Sequence, residues 1–216
     1  MSAPDGALIL GIDPGTRVLG FGAIRGTLRA PALVGAGVVR VNERRPVHER
    51  LARMANEIAA LLEELRPHTV VVERAFAGRN LQSALRLGEC RGIVLAAASR
   101  SGAAVEELSP AQAKRAIAGH GAATKERVAD LVALRLGLAR NGAPLDATDA
   151  LALALAWQQG VATPLVARRT ARATLGRELL ARLASTSGLP APGVAALGLP
   201  AGLQGANLVL SRRRPR

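Results

Sequence analysis

Four carboxylates in this chain stand where an ordinary structural role is hard to find. Asp13 follows the apolar run Leu8-Ile-Leu-Gly-Ile12 and precedes Pro14-Gly15, while Glu73 closes Val70-Val-Val72. A charge at the end of a buried strand is costly without a partner. If those two strands run parallel and adjacent, both carboxylates come to the carboxyl edge of one sheet, where α/β folds usually carry their active sites. Asp146 and Asp149 belong to Leu145-Asp-Ala-Thr-Asp-Ala-Leu151. On a helix a spacing of three puts them on one face, about 5–6 Å apart at Cβ. Acidic groups this close repel, and divalent cations are the common compensation. Hard oxygen ligands select Mg²⁺ or Mn²⁺, and two ions about 3.5–4 Å apart can hold the attacking and leaving oxygens of a phosphodiester, with water as nucleophile. Taken singly, three of the acids have a simpler use: Asp13 in a turn, Asp146 as a helix N-cap, Asp149 as a first-turn acid favoured by the helix dipole. Their joint occurrence points to metal.

The elements that must position these groups are legible from pattern. Three β-like stretches, Leu8–Ile12, Val18–Ile24 and Ala32–Val41, are joined by short connections and so predict antiparallel neighbours. Apolar residues at helical spacing (Leu51, Met54, Ile58, Leu61, Leu62, Leu65) predict a helix over 47–65, ended by Pro67. Thr69–Glu73 has the composition of a strand buried on both faces, as in a parallel sheet. Asn80 caps a second helix reaching about Arg100, Ala103–Glu107 is a fifth strand, and Ser109-Pro110 opens a short helix. Thr124 heads another helix to about Leu138, and Asp146 begins the last one, through about Trp157. The order predicts a mixed five-stranded sheet, three antiparallel strands then two parallel, flanked by helices.

Composition bounds the setting. The formal net charge is +13, with 27 arginines and two lysines. A basic surface favours a polyanion, usually nucleic acid. Residues 157–216 carry nine arginines against the single acid Glu178 and are rich in Ala, Gly and Pro. We therefore expect a folded domain over 1–158 and a basic, largely mobile appendage over 159–216. A lone Cys90 excludes an internal disulfide and fits a reducing compartment. The longest apolar run, Ala150–Trp157, is too short to cross a bilayer. The N-terminus lacks a basic leader, so the expected location is cytoplasmic.

Three blocks carry a family resemblance. Leu10-Gly-Ile-Asp-Pro-Gly-Thr-Arg-Val-Leu-Gly-Phe-Gly22, Val71-Val-Glu-Arg-Ala-Phe-Ala-Gly-Arg-Asn80 with its continuation to Gly92, and Pro144-Leu-Asp-Ala-Thr-Asp-Ala-Leu-Ala152 resemble, in order and spacing, the RuvC Holliday-junction resolvases. The likeness spans about Ala7 to Trp157. It implies a ribonuclease-H-like fold, a homodimer, and cleavage of four-way DNA junctions with Mg²⁺ or Mn²⁺, leaving 5′-phosphate and 3′-hydroxyl ends. It makes Asp13, Glu73, Asp146 and Asp149 the catalytic, metal-binding set and RuvA and RuvB the partner proteins.

The resemblance also bears on single residues. Phe76, one of three aromatics, sits in an arginine-bearing loop; it would serve as a plug under the loop or as a platform on which an unpaired base stacks, and the family likeness favours stacking. Lys114 and Lys125 correspond to family lysines near the scissile phosphate. Lys125 follows a glycine-rich turn at a helix start, where amides and dipole already favour a phosphate. Arg17, Arg74, Arg79 and Arg115 are expected phosphate contacts. His48 and His68 suggest no ligand cluster, and His120, in Gly-His-Gly, could touch DNA. The helix 81–98, rich in Leu and Ala, would contribute to the dimer contact, with Cys90 buried in it and Phe21 in the core. Thr124 departs from the acidic residue many members carry there, and Phe21 from tyrosine. Two competing readings remain: Gly11-Ile-Asp-Pro-Gly-Thr16 also resembles the phosphate loop of actin-like and sugar-kinase ATPases, and a junction-binding protein without catalysis would share the basic surface.

Overall fold

The computed structural model describes residues 6–74, 81–139 and 142–161. In chain order the elements are β1 (Ile9–Asp13), β2 (Val18–Gly26), β3 (Pro31–Arg40), α1 (Val47–Leu65), β4 (Thr69–Glu73), α2 (Leu81–Arg100), β5 (Ala104–Leu108), α3 (Pro110–Ala118), α4 (Lys125–Leu136) and α5 (Leu145–Gln158). The strands form one sheet of order β3-β2-β1-β4-β5. β1 pairs antiparallel with β2 and parallel with β4; β2 pairs antiparallel with β3, and β4 parallel with β5. The mixed sheet expected from the order of elements is present. Antiparallel strands need only tight turns, whereas each parallel strand returns through a helix, α1 before β4 and α2 before β5.

Helices cover both faces. On one, α1 and α2 bury Met54, Ile58, Leu62, Cys90 and Val94 against Leu10, Ile12, Val70 and Val72. On the other, α3, α4 and α5 bury Val128, Val132, Leu151, Leu153 and Leu155 against Ile9, Ile24, Val71 and Leu108. Strand alternation sorts the side chains between these two cores. Leu10, Ile12, Val70 and Val72 face α1 and α2. Ile9 and Val71 face α5, and so do the residues that alternate with them within β1 and β4. The same parity therefore sends Gly11 and Asp13, and Glu73, to the α5 side. Phe21 is half-buried against the α1/α2 core, as expected, and its ring lies over Gly37 on the neighbouring strand.

Apart from the half-buried Asp149, α5 is buried from Ala147 through Gln158, as an apolar helix packed within the fold must be. Its approach to the sheet depends on missing side chains. A Cβ at Gly11 would stand 2.9 Å from the Ala150 carbonyl carbon, and one at Gly22 would stand 2.5 Å from Leu151 Cγ. Gln158 Nε2 donates to the Gly26 carbonyl at 3.0 Å and ties the far end of the helix to β2.

The helix starts confirm and correct the expected caps. Ser109 accepts from the Gln112 amide and Gln112 returns a bond to the Ser109 amide, a reciprocal cap for α3 with Pro110 in its first turn. Thr124 accepts from the Arg127 amide at 3.2 Å and caps α4. Asp146 is not the cap of α5. Pro144 holds that position, its carbonyl accepting from the Thr148 amide and hydroxyl, and it needs no donor of its own. Asp146 lies inside the first turn, so its carboxylate is not spent on the helix end. Asn80, expected to cap α2, and the appendage at 159–216, beyond Val161, lie outside the described residues.

Candidate active site

The carboxyl edge of β1 and β4 meets the amino-terminal turn of α5. In register Ile12 pairs with Val72, so Asp13 and Glu73, each one residue further and on the same face, end side by side. Asp13 also pairs with Gly20 of β2, over which the first turn of α5 is laid. Asp13, Asp146 and Asp149 come together here, each offering a carboxylate oxygen within 4.8 Å of the other two, and each half-buried. Glu73 stands outside that trio but lines a cleft of about 180 Å³ with Asp13, Asp149, Lys114, Lys125 and the wall residues Ala113, Val128 and Leu153, Asp146 standing beside it.

Burial first, and neighbouring charge second, set the electrostatics. Burial, with Asp149 and Asp146 nearby, pushes the Asp13 carboxyl up to about 6, against the pull of Lys125. Burial and the carboxylates of Asp13 and Asp149 push Glu73 up to about 7, with Lys125 and Lys114 opposing. Such groups ionise willingly only when positive charge arrives. Part of that charge is supplied by Lys125 at the start of α4, whose Nζ donates to Asp149 Oδ2 at 2.6 Å. That hydrogen bond, then the surrounding carboxylates, raise the lysine despite partial burial. An all-oxygen donor set of three converging carboxylates, with further positive charge still favoured, fits a hard divalent cation.

The remaining expected site residues fall in two groups. Lys114, on α3, is half-buried in the cleft wall. Arg17, Arg74 and Arg115 are exposed; Arg17 is engaged by Glu43 at 3.0 Å, and the Arg74 amide donates to the Leu108 carbonyl at 2.7 Å. Phe76 and Arg79 lie outside the described residues. His48 and His120 are exposed, and His68 accepts from the Leu8 amide through Nδ1 at 3.1 Å, away from the carboxylates. Cys90 is buried, and burial pushes its thiol up. The Lys125–Asp149 pair has no signal in the sequence, since no local pattern links residues 24 apart on different helices.

Comparison with known proteins bears on the whole of this region. The family model described as Crossover junction endodeoxyribonuclease RuvC matches residues 9–157. A protein of that name from Marinobacter nauticus is 44% identical over 149 residues, covering 69% of this chain and 84% of its own length. Another from Chloroflexus aurantiacus is 40% identical over 146 residues, covering 68% and 89%. Among solved structures, Thermus thermophilus RuvC in complex with a Holliday junction substrate matches with TM-score 0.68 and 37% identity, over 74% of this chain and 99% of that one. The yeast mitochondrial Holliday junction resolvase Ydc2 matches with TM-score 0.55 at 16% identity, over 74% and 81%, a likeness of fold alone. Among the described residues no helix is long and apolar enough to cross a membrane. With its three acids gathered at the end of a mixed sheet and its likeness running from β1 to α5, the chain belongs to the crossover junction endodeoxyribonuclease RuvC family, the nucleases that resolve Holliday junctions.

Proposed function

We propose that this chain resolves four-way DNA junctions as a homodimer, cutting symmetry-related strands by hydrolysis at the acidic site of Asp13, Glu73, Asp146 and Asp149, with Mg²⁺ or Mn²⁺ as cofactor and two ions per site. The observation that carries this reading is the convergence of Asp13, Asp146 and Asp149 oxygens within 4.8 Å beside Glu73. Divalent cations held by these four carboxylates would supply water activation and neutralisation of the phosphate's developing charge.

The chain's own residues do the rest. Burial of the carboxylates against Ala113, Val128 and Leu153 keeps bulk water from one side of the cleft and strengthens every charge interaction in it. Lys114 and Lys125 present ammonium groups at the rim, where a scissile phosphate enters, and Lys125 does so at a helix start whose amides favour the same anion. Arg17, Arg74, Arg79 and Arg115 contact more distant phosphates, and Phe76 stacks on a base at the junction centre.

Two copies are needed for paired cuts. α2 supports the contact: Leu81 and Leu85 are 73% and 61% exposed, and Gly88 and Gly92 have open space above them. RuvA and RuvB are the partners implied by membership of the family. Residues 1–158 form the nuclease domain and residues 159–216 a basic appendage, cytoplasmic like the DNA it serves.

A synthetic four-way junction, incubated with Mg²⁺, Mn²⁺ or EDTA beside linear duplex of the same sequence, tests this. Cleavage of the junction alone, at symmetric positions and only with metal, is the expected result. Equal cutting of both substrates, or cutting in EDTA, would overturn it.

A further inference from the structure

Nothing in the chemistry of the four acids explains why those on α5 arrive beside the one on β1. That depends on how closely the helix can lie on the sheet. The first turn of α5 crosses β2 at Gly20, the residue paired with Asp13 across the β1–β2 ladder. A Cβ at Gly20 would overlap the carbonyl oxygen of Asp146 and lie 2.5 Å from its carbonyl carbon and 3.2 Å from the Ala147 amide nitrogen. These are backbone atoms of a helix whose next residues, Ala147, Ala150 and Leu151, are fully buried, so they have no route aside. Gly11 meets the same helix one turn later, at Ala150. The contact at Gly20 differs because the residue standing on it is itself one of the acids.

We propose that Gly20 is a positioning residue for the metal site: lacking a side chain, it sets the height of the Asp146 backbone above the sheet and thereby the spacing between Asp13 and the Asp146/Asp149 pair. The proposal rests on the metal-site reading above. Any larger residue at position 20 lifts the amino-terminal turn of α5 and opens the trio, while leaving each carboxylate intact. Tightly packed backbones yield little, so the displacement reaches the site rather than dissipating.

The test is a Mn²⁺ titration by calorimetry on the full-length protein without DNA. Gly20→Ala is expected to weaken Mn²⁺ by about tenfold or more, the scale seen when support behind metal ligands is lost, while binding of a four-way junction in EDTA stays close to native. Leu151→Ala, which leaves a cavity under the same helix without lifting it, lowers the melting temperature but keeps native Mn²⁺ affinity. Asp146→Glu adds one methylene, about 1.5 Å of reach. It should recover Mn²⁺ affinity in the Gly20→Ala background and weaken it in the native one. Native affinity in Gly20→Ala, an equal loss in Leu151→Ala, or no recovery by Asp146→Glu would overturn the proposal. Should Gly20→Ala not fold, Asp146→Glu alone decides: a clear loss supports a tightly set spacing, and native affinity refutes it. A native protein that binds no Mn²⁺ would instead sink the metal-site reading.

Discussion

The Lys125 ammonium lies 2.6 Å from Asp149 Oδ2, so one cleft acid is already neutralised by a cation from the start of α4. A divalent ion must compete for that oxygen and tolerate the charge beside it. Lys125→Gln is therefore expected to tighten Mn²⁺ binding by about threefold at a pH near 8.5, in keeping with a half-exposed pair worth up to ~1 kcal/mol. Junction cleavage is expected to fall by about a hundredfold if Lys125 also serves the phosphate as proposed, because that positive group is lost. Calorimetry and single-turnover cleavage read the two effects separately. Weaker metal binding in Lys125→Gln would contradict the competition.

The raised carboxyls set a pH dependence of definite sign. Asp13 at about 6 and Glu73 at about 7 hold protons in the folded chain over a range where the unfolded chain, at 3.8 and 4.5, has released them. The folded state thus binds more protons, and the stability of metal-free protein falls as pH rises through that range. In EDTA the melting temperature should drop by a few degrees between pH 5 and pH 8. Divalent ions need the ionised acids, so the stabilisation by Mg²⁺ should be negligible at pH 5 and full at pH 8. A rise in EDTA over the same interval would refute the assignment.

Asp149→Asn keeps the shape of the acid and removes its charge. It is expected to cut cleavage by at least about a thousandfold, the scale of losing an essential electrostatic group. Junction affinity in EDTA should hold or increase slightly, since one negative charge leaves the DNA-facing cleft. Gel-shift and cleavage assays on one preparation decide it. Retained cleavage would reduce Asp149 to an ordinary first-turn acid.

Away from the cleft, Arg91 of α2 is paired with Glu107 of β5, both side chains largely buried at 24% and 12% exposure. Arg91→Leu strands a carboxylate beneath α2 and should cost about 3 kcal/mol, or ~10 °C in melting temperature. Replacing both, Arg91→Leu with Glu107→Leu, should recover most of the loss. An undiminished loss in the double variant would mean the pair itself contributes net stability.

The amino-acid order alone determined the element sequence and the mixed sheet, and it singled out four acids as candidates. Apolar period, the Ser109 and Thr124 caps and short early connections are local signals, and the carboxylates ending Leu8–Ile12 and Val70–Val72 stood out because charge seldom closes a buried strand. The start of α5 is not legible locally: Leu-Asp-Ala-Thr offers Asp146 as a capping acid as readily as a ligand, and the structure puts Pro144 at the cap and Asp146 inside the first turn. What only the tertiary structure decided is distance. Residues 13, 146 and 149 meet where α5 packs closely on β1 at Gly11 and on β2 at Gly20 and Gly22, contacts with no signature in any one of these segments. The partnership of Lys125 with Asp149 depends likewise on how α4 crosses α5, and helix crossings follow from the whole packed core rather than from any one stretch of chain.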